Sequence, residues 1–240
     1  MWIRDSFYRV NAEGMRVPAA EGDVLKNPAY AETLKIIAAK GWKGFYEGPV
    51  AEEIVTTVQN APRRPGTLAL SDFASYEAKK REPVCAAYRD YRVCSMPPPT
   101  SGGLTTLQIL GILGNYDLKG MGPMTLTAVH FIAEAEKLAY ADRDRYLADP
   151  DFVSVPSGLL DPIYLAGRRA LIDPLRAMEK AAPGLPPGVA RQSFGRDATK
   201  ERSGTSQISI IDGDGNAVSM TTTIEGAFGS HNWAAGFLLN

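Results

Sequence analysis

The stretch from Gly204 to Thr223 constrains this chain more than any other, because its pattern fixes a structure and a register together. Thr205-Ser206-Gln207-Ile208-Ser209-Ile210-Ile211 and Ala217-Val218-Ser219-Met220-Thr221-Thr222-Thr223 both alternate polar and apolar residues. The run Asp212-Gly213-Asp214-Gly215-Asn216 between them is turn chemistry. A hairpin centred on Asp214 sets Thr205 opposite Thr223, Gln207 opposite Thr221 and Ser209 opposite Ser219. Directly opposed residues of an antiparallel pair hold their Cβ atoms about 5 Å apart. One face is therefore polar and rich in hydroxyls. The other carries Ile208, Ile210, Val218, Met220 and Ile224, and suits a core. Paired hydroxyls on a rigid strand are one way to build a nucleophile. Taken alone, Thr205 and Thr223 read as ordinary strand threonines, which β-structure favours.

Composition limits what such a nucleophile can use. The chain has 2 histidines, His130 and His231, so a Ser-His-Asp arrangement is hard to staff. His130 sits on the apolar side of a helix beside Phe131 and reads as a packing residue. With 2 cysteines besides, Cys85 and Cys94, there is no zinc-ligand spacing. The net charge of -1 gives no electrostatic reason to expect nucleic acid or an anionic membrane as partner. No run approaches the roughly 18 apolar residues of a membrane span. Met1-Trp2-Ile3-Arg4-Asp5-Ser6 is not followed by the apolar region of a signal peptide. Apolar content of 45 % and charged content of 22 % are globular values, which argues against long disorder. A length of 240 residues allows one domain or two small ones.

Local signals place the remaining elements. Asn27-Pro28 pairs a capping side chain with a proline at the first helical position, and predicts a helix to about Lys40 that stops at Gly41. Pro49 opens a second helix with Val50, Ala51, Ile54 and Val55 inward, and Ser71-Asp72 caps a short one through Tyr76. Val84 to Tyr88 and Tyr91 to Ser95 read as strands joined by Arg89-Asp90, which sets Cys85 opposite Cys94. That pair is either a disulfide or two small thiols facing each other. Pro97-Pro98-Pro99 gives an extended stretch. Thr100-Ser101-Gly102-Gly103 then leads into an apolar helix from Leu104 to Leu113, either as a plain cap with a tight turn or as an anion-holding terminus. A long helix covers Leu126 to Leu147, and Asp161-Pro162 begins another through Leu171. From 182 to 203 the prolines, glycines and basic residues read as a solvated linker.

Several segments, in order along the whole chain, resemble the γ-glutamyltransferase (γ-glutamyl transpeptidase) family. They are Ser95-Met96-Pro97-Pro98-Pro99-Thr100-Ser101-Gly102-Gly103, Ala133 to Arg143, Asp149-Pro150-Asp151-Phe152-Val153, Gly204-Thr205, Phe228-Gly229-Ser230 and Gly236 to Asn240. The resemblance implies an α/β (α+β) fold of the N-terminal-nucleophile hydrolase type, an αββα sandwich partly present. It implies that a precursor cuts itself between Gly204 and Thr205, and that Thr205 is the nucleophile. The α-amine so created has a pKa of about 7.7–8.0 and can serve as base for the Thr205 hydroxyl. Thr223, opposite, orients that hydroxyl. Glu225 stands where many family members carry an Asn that helps bind the α-amino and α-carboxyl end of a glutamyl group. A glutamate accepts from an ammonium but repels a carboxylate. Gln207 stands where the family usually has His.

The resemblance further implies that residues 1–204 are the C-terminal part of a large-subunit region and 205–240 the start of a small-subunit region, within one structural domain. It implies γ-glutamyl acyl transfer or hydrolysis of glutathione-type amides, with water or an amino acid as acceptor and no cofactor or metal. A periplasmic or extracellular location goes with it. Against the family pattern the chain reads as a fragment without the oxyanion hole, inactive and marginally stable alone. The alternatives are an acylase acting on another side-chain amide, or a non-catalytic polypeptide.

Overall fold

Local chemistry sets the first helices, as their caps require. The computed structural model describes residues 7–189, Gly195 and 204–240. These fall into two compact units, one running up to Ala78 and resuming with the segment from Gly204, the other beginning at Lys79. In the first, β1 (Tyr8–Val10) pairs antiparallel with β2 (Arg16–Pro18). Helix α1 (Pro28–Lys40) starts where the Asn27 side chain accepts the Tyr30 N–H at 2.9 Å. It ends at Gly41, whose φ of 62° only glycine adopts freely. Helices α2 (Lys43–Tyr46) and α3 (Pro49–Gln59) follow, and α3 buries Val50, Ala51, Ile54 and Val55 as its apolar spacing requires.

Helix α4 (Leu70–Ser75) corrects an expectation. Its cap position is Ala69, and the Asp72 carboxylate reaches back to accept the Ala69 N–H at 2.9 Å. Asp72 thus serves from the third helical position and not as the cap itself.

The last part of this unit holds β5 (Thr205–Ile211), β6 (Ala217–Thr223), β7 (Trp233–Ala234) and β8 (Phe237–Leu238). The β7–β8 turn is locked onto the helices. Thr33 Oγ1 donates to Ala235 O at 2.7 Å, Asn27 Nδ2 donates to Gly236 O at 2.7 Å, and Ala235 N–H donates to Glu53 at 2.8 Å. Val50, Ile54, Ala234, Ala235 and Leu239 form the core there.

The second unit is built on helices. Strands β3 (Val84–Tyr88) and β4 (Tyr91–Ser95) form the expected hairpin, and Cys85 and Cys94 are joined by a disulfide. Helix α5 (Gly102–Leu113) packs on α7 (Leu126–Tyr146), with α6 (Leu118–Met121) between them in sequence. A 3₁₀ turn at Ser157–Leu160 leads into α8 (Pro162–Arg169), which Asp161 caps by accepting from Ile163 and Tyr164 N–H. Ile112, Leu113, Phe131, Ala135, Leu138, Leu165 and Ile172 make its core. Arg169 donates to the Gly111 and Ile112 carbonyls at 2.9 and 2.7 Å, and so places a cation at the negative end of α5. Among the described residues, no helix is long and apolar enough to cross a membrane.

Candidate active site

The β5–β6 hairpin has the register its sequence predicts, with Thr205 opposite Thr223, Gln207 opposite Thr221 and Ser209 opposite Ser219. At its closed end the Asp212 side chain reinforces the backbone bonds of the turn. The Asp212 carboxylate accepts from the backbone N–H of Asp214 and Asn216, at 3.0 and 2.8 Å, and from Asn216 Nδ2 at 2.8 Å. Those Asn216 bonds hold the Asp212 carboxyl below the usual carboxylate range. A fixed turn aligns the open end, where Thr205 is the first residue of β5 and Thr223 the last of β6.

At that open end the Thr223 hydroxyl both accepts and donates. It accepts the Glu225 N–H at 2.8 Å and donates to the Gly204 carbonyl at 3.2 Å. A hydroxyl has one proton, so accepting from Glu225 leaves that proton for Gly204. The peptide bond from Gly204 to Thr205 is thus held by its carbonyl. Glu225 takes a left-handed backbone with φ of 68°, and Gly204 has φ of 152°. Thr205, Thr223 and Glu225 are all exposed. The structure therefore brings Gly204, Thr205, Thr223 and the Glu225 backbone together at one strand end. The sequence reading missed the contact between Gly204 and Glu225. Its only sequence trace is a glycine directly before the first strand residue.

Gln207 is used within the polar face. Its Nε2 donates to Ser219 Oγ at 2.8 Å and its Oε1 accepts from Thr221 Oγ1. The opposite face departs from expectation. Ile208, Ile210, Val218 and Met220 are exposed, and Ile224 is half-buried. Register decides which residues share a face, but nothing local supplies the layer that covers it, and among the described residues β5 and β6 pair only with each other.

Elsewhere, two positions singled out by the sequence make contacts within the protein, and the Ser101 side chain does not cap α5. The Ser101 hydroxyl accepts from Arg143 Nε at 3.2 Å, and the Ser101 carbonyl accepts from Thr105. Half-buried His130 lies 2.8 Å from the Asp173 carbonyl through Nε2, as a packing residue. A buried polar centre on α7 went unread. Asp142 is fully buried and accepts from Tyr164 OH at 2.6 Å, Gly184 N–H at 2.8 Å and Gln108 Nε2 at 3.1 Å, and pairs with Arg168 at 3.1 Å. Burial, then the Asp142 carboxylate, push the Tyr164 phenol up. The available signal was an acid on the same helical face as Phe131, Ala135, Leu138 and Ala139.

Solved structures place this mixture of helices and antiparallel strand pairs in the N-terminal-nucleophile hydrolase class. The γ-glutamyltranspeptidase of Helicobacter pylori matches with a TM-score of 0.69 and 36 % identity, covering 75 % of this chain and 51 % of that one. A cephalosporin acylase from Bacillus halodurans matches with a TM-score of 0.77 and 29 % identity, covering 98 % of this chain and 39 % of that one. The chain belongs to the gamma-glutamyltranspeptidase family, whose model matches residues 4–240. It is 40 % identical over 226 residues to the glutathione hydrolase proenzyme of Escherichia coli (strain K12). That match takes in 93 % of this chain, which spans 37 % of the relative's length.

Proposed function

We propose that this chain carries the self-cleavage junction and the nucleophile of an enzyme that transfers or hydrolyses γ-glutamyl groups, as on glutathione-type amides. Residues 1–204 then belong to a large subunit and 205–240 to a small one. The observation that supports the reading is the Thr205–Thr223 pair at the open hairpin end, with the Thr223 hydroxyl on the Gly204 carbonyl. A relative named a proenzyme supports it too.

Cleavage begins when Thr205 Oγ attacks the Gly204 carbonyl carbon. The bond to the Thr205 nitrogen breaks, the hydroxyl proton ends on that nitrogen, and an ester joins Gly204 to Thr205. Water hydrolyses the ester, leaving a Gly204 carboxylate and a Thr205 with free amine and free hydroxyl. That amine accepts the hydroxyl proton in turnover, since its pKa lies near neutrality, about 7.7–8.0. Thr205 Oγ then attacks the γ-glutamyl amide, the amine component leaves, and water or an amino acid releases the acyl group. Glu225 meets the substrate's ammonium. Every proton in this scheme moves between groups of the chain, the substrate and water, with no call for a metal or cofactor. The Cys85–Cys94 disulfide supports an oxidising compartment, periplasmic or extracellular.

The test is mass spectrometry of the protein expressed from its whole gene, with hydrolysis of a chromogenic γ-glutamyl anilide. A fragment beginning Thr205-Ser206-Gln207 is expected, and Thr205→Ala abolishes both the fragment and turnover. An active protein that stays whole, or a different new N-terminus, overturns the reading. A second reading, an acylase acting on another side-chain amide, is favoured by Glu225 itself and by the likeness to a cephalosporin acylase. A panel of γ-glutamyl, glutaryl and plain acyl amides separates the two.

A further inference from the structure

The self-cleavage reading leaves open what residue 204 contributes, since the attack needs only a carbonyl there. The backbone answers in two ways. Gly204 has φ of 152°, inside the range that side chains of L-residues avoid. A Cβ built on it would fall on the Glu225 carbonyl oxygen and lie 3.4 Å from the Gly226 Cα. That wall is backbone and cannot swing aside as a side chain would. It is held in turn, because the Glu225 N–H is bonded to Thr223 Oγ1 at 2.8 Å, the same oxygen that donates to the Gly204 carbonyl at 3.2 Å.

We infer that Gly204 is a positioning residue for the cleavage before Thr205. Its missing side chain lets the junction lie against the Glu225 carbonyl, and only there does the carbonyl to be attacked rest on the Thr223 hydroxyl. As Thr205 Oγ adds, negative charge builds on the Gly204 oxygen. The Thr223 proton already points at that atom, so no reorganisation is needed when the charge appears. A methyl at position 204 moves the strand end off the Glu225 backbone and takes the carbonyl off its donor. Residue 204 is thereby a determinant of maturation, distinct from Thr205, which supplies the attacking group. The inference rests on the self-cleavage reading.

The experiment follows the appearance of the Thr205 N-terminus by mass spectrometry in protein expressed from the whole gene. It compares wild type, Gly204→Ala, Thr223→Val, Thr223→Ser and the Gly204→Ala/Thr223→Val double variant. Each is first checked for unchanged far-UV circular dichroism. Loss of a preorganised donor to a developing oxyanion slows a reaction by about 10²–10³, and Gly204→Ala and Thr223→Val are expected to slow cleavage by about that factor. Thr223→Ser keeps the hydroxyl and restores the rate. Both single changes remove the same contact, so the double variant is no slower than the slower single one. Cleavage of Gly204→Ala at the wild-type rate overturns the inference, and so does full additivity in the double variant. Should Gly204→Ala fail to fold, wild-type cleavage in Thr223→Val overturns it equally. A wild-type protein that never yields the Thr205 terminus overturns the self-cleavage reading, and the inference with it.

Discussion

Glu225 shows how far a residue can be read before its backbone is known. Its place two residues after Thr223 was legible, and so was the charge problem it sets for a glutamyl carboxylate. Its left-handed φ of 68° was not, because the Gly226 that follows is the usual bearer of such a turn. The left-handed region costs most side chains roughly 1–2 kcal/mol, and asparagine bears it better than glutamate. Glu225→Asn is therefore expected to raise stability by up to about 1 kcal/mol and, under the proposed function and in protein expressed from the whole gene, to keep or improve kcat/KM on γ-glutamyl amides. Glu225→Lys is expected to abolish that activity by setting like charges together. Unchanged kinetics in both variants would take Glu225 out of the site. Thr205 and Thr223, by contrast, were legible as a pair because hairpin register follows from alternation and turn chemistry alone.

Elements with local signals were read closely. Helix α1 keeps its bounds because Asn27, Pro28 and Gly41 act on their own neighbours. The β3–β4 hairpin keeps its register for the same reason, and its disulfide closes a short loop with a sequence separation of 9. Chain-entropy arguments give such a loop roughly 2.5 kcal/mol, so Cys85→Ala/Cys94→Ala should lower the unfolding free energy of the oxidised protein by about that amount. A denaturant midpoint unmoved by the double change would mean that packing, not the bridge, holds the hairpin. Helix α7 keeps its expected span, but the partners of its buried Asp142 are distant in sequence and leave no local signal. Asp142→Asn leaves buried Arg168 without its counter-charge, and a loss of about 3–5 kcal/mol is expected in urea unfolding.

Glu134 on α7 carries a pH signature. Burial pushes its carboxyl up, but the Lys137 ammonium at 2.7 Å and the Met178 N–H at 2.8 Å outweigh it and hold the group below its ordinary value. A folded-state pKa below the unfolded one adds stability above the unfolded value, and that gain is lost as pH falls through the folded one. Glu134→Gln should therefore cost about 1.5–3 kcal/mol near neutral pH. The gap from wild type should close as pH drops below about 4. A gap that stays constant from neutral to acid pH would show that shape, and not charge, is what Glu134 provides.

For the molecule as a whole, what stayed illegible is what covers each surface. Alternation assigned Ile208, Ile210, Val218 and Met220 to one face, yet these are 40, 57, 56 and 46 % exposed. A strand pair fixes its faces by its own hydrogen bonds, whereas a covering layer comes from elsewhere and leaves no mark on the strand. Contiguous apolar surface of this kind marks an interaction site or an aggregation hazard. The 240-residue chain is therefore expected to bind the dye ANS and to self-associate with rising concentration on size exclusion. Ile210 and Val218 face each other across the hairpin, so Ile210→Thr/Val218→Thr removes the centre of the patch while keeping β-branched residues that suit a strand. That variant should show weaker dye binding and less association, with far-UV circular dichroism unchanged. Equal dye binding in both proteins would place the exposed apolar surface elsewhere, and would mean that the face is covered in solution.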